Sequence, residues 1–366
     1  METEGPVIFE GGLKASELHG RDGDLDIRGN LEIQGDINVS DGSLHVSGSL
    51  SAADVDVDRH LEVLGALTAA RLQTGSRIAI HGQLKAESVE VGGSLEASEG
   101  ADVDEIDVGG SVRITRQVNA ESIDVGGSVV VGGGKVSDDI DVGGSFESTE
   151  PLEFNKIDVG GSVRLKGNSS GRSIDVGGVF DVSGNLKFED IDVGGKVDIE
   201  GDAEGEDIDV GGVLQVKGNL TLSEGLEVGG RCRVEKVLSA GRVEIGGSLD
   251  ADTVSVKDIE IGGAISTKNG VKAESISIGD RGRVRGPLHA DTIRVGERAD
   301  VEAIYGRAVT LEERSRATLV HGVDVRIEPG CRVLGEVLYS GSLDADEDVL
   351  FSVSPKKVDV LPPEPS

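Results

Sequence analysis

Eleven acidic residues recur at a near-constant step: Glu90, Asp107, Asp124, Asp141, Asp158, Asp175, Asp192, Asp209, Glu227, Glu244 and Glu260. Carboxylates gathered in such number could hold cations, calcium first among them. The calcium-binding solenoid signature, however, repeats every nine residues with Gly-rich Asp turns, and here the step is near 17 with the acid in mid-strand. A calcium-binding solenoid is therefore kept only as an alternative. Histidine could serve as base or metal ligand, but the six, at positions 19, 45, 60, 81, 289 and 321, fall in different copies of the repeat with no shared constellation. The second alternative, an acyltransferase of the hexapeptide-repeat type, calls for strict six-residue periodicity and a positioned base. Neither is evident, so the sequence predicts no enzyme, no catalytic residue, no metal site, no cofactor and no small-molecule substrate.

The remaining reactive types read as structure. Cys232 and Cys331 each stand six residues after the start of a copy, where an inward side chain is expected. Six turns separate them, roughly 29 Å at one strand spacing per turn, too far for a disulfide. In the last four turns the same slot holds Gly282, Ala299, Ser315 and Cys331, which marks a place for small residues. Paired glycines, Gly109-Gly110, Gly126-Gly127, Gly143-Gly144 and Gly160-Gly161 among them, lack the Lys-Ser/Thr that completes a phosphate-binding loop. They are expected as corners whose backbone angles only a residue without Cβ adopts cheaply.

What places all of these is a repeat. Ile-Asp-Val-Gly-Gly begins at Ile106 and returns at Ile123, Ile140, Ile157, Ile174, Ile191 and Ile208, with looser copies from Val55 to Val325. A unit so short cannot bury its own apolar face and must be completed by its neighbours. Within one copy, pieces of six, six and five residues start at Ile106, Val112 and Val118, and each opens apolar, polar, apolar. That alternation is a strand signal. Three short strands per turn predict an all-β fold, a parallel β-solenoid of about 17 residues per turn. Aromatic residues make up 2% of the chain and Trp is absent, so stacked Leu, Ile and Val must form the core.

Residues 1–24 are expected as a flexible lead-in, 25–337 as the solenoid with an Arg-rich segment at 276–337, and 338–366 as an acidic, apolar and Pro-bearing tail. Between Leu25 and Gly335 this predicts one elongated unit of roughly 18 turns, a rod of roughly 85 Å. Asn168-Ser-Ser-Gly-Arg172 offers no apolar residue where its turn needs one and is expected to bulge outward. The strongest apolar clusters outside the repeat are Val7-Ile8-Phe9 and Val349-Leu350-Phe351. These six residues are candidate polymer contacts.

The net charge is −32 with a pI near 4.5. In-register acids ~4.8 Å apart repel by roughly 0.9 kcal/mol per neighbouring pair in water, and at about 1 M salt the Debye length of ~3 Å removes most of this. A salt-rich cytoplasm is the expected setting. No run of 18 apolar residues exists, and the acidic start is unlike a secretory signal. The expected location is cytoplasmic, including the inner face of the membrane. Against the acidic background, residues 281–332 carry ten arginines and eight acids. Arg281, Arg283, Arg285, Arg294, Arg298, Arg316 and Arg332 form a candidate basic docking face for an acidic subunit or an anionic lipid surface. Nucleic acid is disfavoured by the net charge and the scarcity of stacking aromatics.

The turns Ile276-Ser-Ile-Gly-Asp-Arg-Gly-Arg-Val-Arg-Gly, Ile293-Arg-Val-Gly-Glu-Arg-Ala-Asp-Val-Glu-Ala and Val325-Arg-Ile-Glu-Pro-Gly-Cys-Arg-Val-Leu-Gly-Glu-Val resemble bactofilins, the polymer-forming cytoskeletal family. With the acidic composition, the chain looks similar to a haloarchaeal, halofilin-like member. The resemblance is closest over residues 276–337 and extends upstream through the repeat. It implies a right-handed parallel β-helix that polymerises end to end without nucleotide, alone or with a paralogous filament protein, as a scaffold for cell shape or at the membrane. Hexapeptide acyltransferases share the Ile-x-Ile-Gly turns. The chain is much longer than a single bactofilin core, and no apolar N-terminal anchor is expected from its first residues.

Overall fold

The structure, a computed structural model, describes residues 1–363. Among these there is no helix, and the strands are parallel, stacked at a spacing near 17 residues through about 21 turns in all. They fall into two compact units, residues 1–184 and the part from Asn185 onward. In each, the repeat supplies three sides per turn, typified by Ile106–Val108, Val112–Ile114 and Val118–Ala120. Residues one repeat apart pair directly, as Ile106 with Ile123 and Val112 with Val129. Like side chains therefore stack on like.

Stacking explains the core without aromatics. Along the first side of the first unit, Ile106, Ile123, Ile140, Ile157 and Ile174 are all buried, and Val108 to Val176 form a second buried column beside them. Each side chain meets its copies above and below, so the repeat needs no long-range packing code. The two buried Cys fit this account. Cys232 sits between Leu214 and Leu249, and burial pushes its thiol up to about 12. Cys331 lies in the small-residue slot with buried Ala299 and Ser315, and its Sγ is 3.2 Å from Ser315 Oγ. Both are free.

Four expectations require correction. Residues 1–24 are not an irregular lead-in. Glu2–Glu4, Val7–Phe9, Leu13–Ala15 and Leu18–Arg21 are strands, and the first three pair with Leu18–Arg21, Leu25–Ile27 and Leu31–Ile33. Short apolar triplets separated by glycine suffice for a turn when a complete turn lies beneath them. At the other end, Val337–Ala345, Leu350–Phe351 and Lys356–Lys357 continue the strand stack into the expected tail.

The paired glycines have a different reason from the one expected. None of Gly109, Gly110, Gly126, Gly127, Gly143, Gly144, Gly160 and Gly161 has a φ in the left-handed region. They are required by close approach: a Cβ on Gly109 would stand 2.7 Å from Gly92 O, and one on Gly110 would press still closer to Gly93 O. Consecutive corners stack backbone on backbone, and no side chain fits between them.

The polar Asn168–Arg172 stretch does not bulge. Ser169–Ser170 is a strand that pairs with Glu153, Ser169 is buried, and its Oγ accepts a hydrogen bond from Leu152 N at 3.2 Å. The missing volume comes from the turn before, because the Phe154 ring occupies the space a side chain at Gly171 would need. Phe188 and Gly205, also 17 residues apart, repeat the arrangement. The fourth correction concerns the histidines, below.

Candidate functional site: outer rows and terminal turns

Because turns stack in register, every outward position becomes a row. In the first unit Glu90, Asp107, Asp124, Asp141, Asp158 and Asp175 pair successively, and in the second Asp192, Asp209, Glu227, Glu244 and Glu260 do so. The expected acidic ladder thus exists within each unit. Cations relieve it in places: Lys156 lies 3.7 Å from Asp158, and Arg242 pairs with Glu244. Among the described residues no group of three or more His, Cys, Asp or Glu is arranged to hold a metal ion. Beside the row, Asp207 has its carboxyl raised above the ordinary range by burial and by Asp190, Glu224 and Asp209.

Past Glu260 the row changes character, continuing as Ser277, Arg294, Thr310, Arg326 and Asp344. The arginines of the candidate docking face do not share one face. Arg294 lies on the first side, where it pairs with Glu312 at 2.5 Å. Arg281, Arg298 and Arg314 occupy the corner after it with φ near +58, +56 and +59. Arg283, Arg316 and Arg332 form a row on the second side, interrupted by Asp300 between the first two. Arg285 lies two residues beyond Arg283 on the same strand. All seven candidates are exposed. They spread over two sides and the corner between, so this segment is a mixed-charge surface with a cationic excess.

The corner arginines are bound by their backbone. Arg281 N donates to Glu297 O at 2.7 Å, Arg298 N to Glu313 O at 3.0 Å and Arg314 N to Pro329 O at 3.0 Å. The left-handed conformation aims each amide at the following turn.

The histidines are less scattered than the spacing indicated. His45 Nδ1 and His81 Nε2 lie 3.1 and 3.6 Å from the two oxygens of Glu62. His289 and His321 lie in one row with Tyr305 between them. Sequence reading missed both groups because their members are one or two turns apart, at steps of 16 to 19. Only aligning positions turn by turn would have found them.

The terminal turns hold the candidate polymer contacts. Val7–Phe9 is the second strand of its turn, and Leu350–Phe351, with Val349 just before it, is the second strand of the last turn. Val7 and Phe9 stack on Leu25 and Ile27, Phe351 on Val333, and Val349 is buried. Ile8 and Leu350 point outward, 56% and 59% exposed. The strands holding these triplets pair on one edge only among the described residues. No helix among them is long and apolar enough to cross a membrane. Compared with protein-family models, curated proteins and solved structures, the chain matches none.

Proposed function

We propose that this chain is a non-enzymatic structural protein of the cytoskeletal, bactofilin-like kind that assembles end to end into filaments without nucleotide. The reading rests on one observation: the first and last turns each leave a strand edge unpaired among the described residues and carry apolar side chains on the second side of the turn. Unpaired edges of stacked strands template further pairing, and a solenoid without polar caps invites another copy.

Stacking the first turn of one copy on the last turn of another, in the register of the repeat, sets Val7 on Phe351, Ile8 on Ser352 and Phe9 on Val353. The same register sets Glu2 against Asp344 and Lys14 against Lys356, since these are the outward positions of the other two sides. Apolar complementarity on one side thus meets like charges on two. The assembly strengthens with salt, which suits a salt-rich cytoplasm and the acidic rows alike. The cationic surplus around Arg283 and Arg316 supports lateral docking on an acidic subunit or an anionic membrane surface, where the filament serves as a scaffold for cell shape.

Negative-stain electron microscopy in molar KCl and after dialysis to low salt tests the proposal. Thin filaments without nucleotide in molar salt, shortened by dialysis and abolished by Phe351→Arg, are expected. Isolated particles under both conditions would refute self-assembly.

A further inference from the structure

One outward row behaves unlike the rest. On the third side, outward residues of other turns, such as Asn119, Lys135, Glu153, Thr221, Ser255 and Lys272, are exposed. In the same position His289, Tyr305 and His321 are 7%, 9% and 7% exposed. Part of the burial is mutual. Tyr305 stacks on His289 with centroids 4.8 Å apart and planes 7° from parallel, and meets His321 edge-on at 5.3 Å. Glu336 holds the His321 ring, 3.0 Å from Nε2.

The rest of the cover comes from the C-terminal segment. Val358 N donates to Tyr339 O at 2.9 Å, and beyond it a half-buried Leu361 and an exposed Pro362 line a groove of about 430 Å³ together with the three rings. From Val358 to Pro362 an extended chain reaches at most about 14 Å, close to three strand spacings of ~4.8 Å. That carries it from the level of Lys357 back past Tyr339 and His321 to Tyr305, in the middle of the stack. Lys272 and Arg307 also line the groove, with Asp291 as the one acid beside them. The segment that enters it carries Asp359 and continues in sequence as Pro363-Glu364-Pro365.

We propose that the His289–Tyr305–His321 row is a binding groove for a proline-bearing acidic peptide, and that its occupant is this chain's own C-terminal segment, Leu361-Pro362, bound in cis. Proline-rich segments suit aromatic-lined grooves because their extended conformation is pre-set and costs little entropy to bind. The flanking Lys272 and Arg307 outnumber Asp291 and favour an acidic version of such a peptide. This holds whether or not the protein forms filaments.

The absence of Trp and the presence of only two Tyr make a direct test. In full-length Tyr339→Phe protein, Tyr305 is the sole strong fluorophore, and acrylamide quenching reads its cover. Changing Leu361→Asp and Pro362→Asp together should raise the quenching constant several-fold, with the thermal melt unchanged. Adding a synthetic peptide of residues 356–366 should restore protection, and the same peptide with Leu and Pro replaced by Ser should not. Unchanged quenching in the variant, or no effect of the peptide, overturns the proposal.

A second measurement leaves the groove and its occupant intact. Val360 is 82% exposed and both native cysteines are buried, so a nitroxide on Val360→Cys labels one site. It should broaden the imidazole resonances of His289 and His321 and spare those of His45 and His60, equally at all protein concentrations. Broadening that fades on dilution would place a second copy's segment in the groove and overturn the cis assignment. No selective broadening would overturn the proposal altogether.

Discussion

The Ile-Asp-Val-Gly-Gly turns of residues 106–263 and the Arg-bearing turns of 276–337 are built on the same inward columns of Ile, Leu and Val, yet they differ at corners and on their surfaces. In the former, a glycine pair lets backbone stack on backbone, and the outward row is acidic at every step. In the latter, the corner is a turn with an arginine in left-handed conformation, and the row alternates Arg with Ser or Thr before ending at Asp344. The inward columns therefore specify the coil. The corners and outward rows are free to vary, and they set solvent, salt and partner preferences.

Substitution at the corners should separate the two regions most strongly. In Gly127→Ala the new Cβ would meet the Gly110 carbonyl, and backbone cannot yield as a flexible side chain does. A loss of about 3 kcal/mol is expected, whereas Arg298→Ala, which keeps a Cβ in the same conformation, should stay within about 0.5 kcal/mol. Urea denaturation of both variants checks the contrast, and equal losses would remove it.

The rows should separate next, and only at low salt. Asp141 stands between Asp124 and Asp158, so Asp141→Asn relieves two neighbour repulsions, up to ~1.8 kcal/mol in unscreened water. Arg294→Gln in the corresponding row breaks its pair with Glu312 and should cost ~0.5 kcal/mol. Melting at low and at molar KCl should show opposite signs for the two variants, both shrinking as salt rises. A gain for Asp141→Asn that persists undiminished in molar KCl would mean that repulsion is not its source.

Smaller effects sharpen the comparison. Arg298→Gly places at φ near +56 the residue that tolerates it, and relief of strain offset by unfolded-state entropy leaves a gain below about 1 kcal/mol. The same measurement with Gly330→Ala, where φ is +72, should give a loss of similar size. Asp207 supplies the pH dependence. Its carboxyl is raised in the folded state by burial and three neighbouring acids, so the folded protein holds this proton more tightly than the unfolded chain. Its ionisation lowers stability as pH rises through the raised value, and the benefit of protonation appears as pH falls back through it. Asp207→Asn should therefore melt higher than the parent at neutral pH, with the gap closing in acid below the usual Asp range.

Much of this was legible because the information is local and repeated. The step of 17 residues fixes which side chains stack, so the apolar columns, the acidic row within each unit and the burial of Cys232 and Cys331 follow from counting. The count goes wrong where one turn compensates for another. Asn168–Arg172 looks too polar for a turn, and only the Phe154 ring reaching over Gly171 shows how the space is filled. Val7-Ile8-Phe9 looks too short to fold, until the strand Leu25–Ile27 beneath it supplies a template.

The sequence by itself determined the strand period, the inward and outward alternation and the charge of each row, because these depend on residue order and a two-residue pleat. The tertiary structure alone decided what happens between turns. It showed that Gly110 is glycine for want of space against Gly93 rather than for its φ, that His289, Tyr305 and His321 form one stack, and that Leu361 and Pro362 return to line their groove. Each of these depends on the distance between atoms one or more turns apart, which no local pattern of residues encodes.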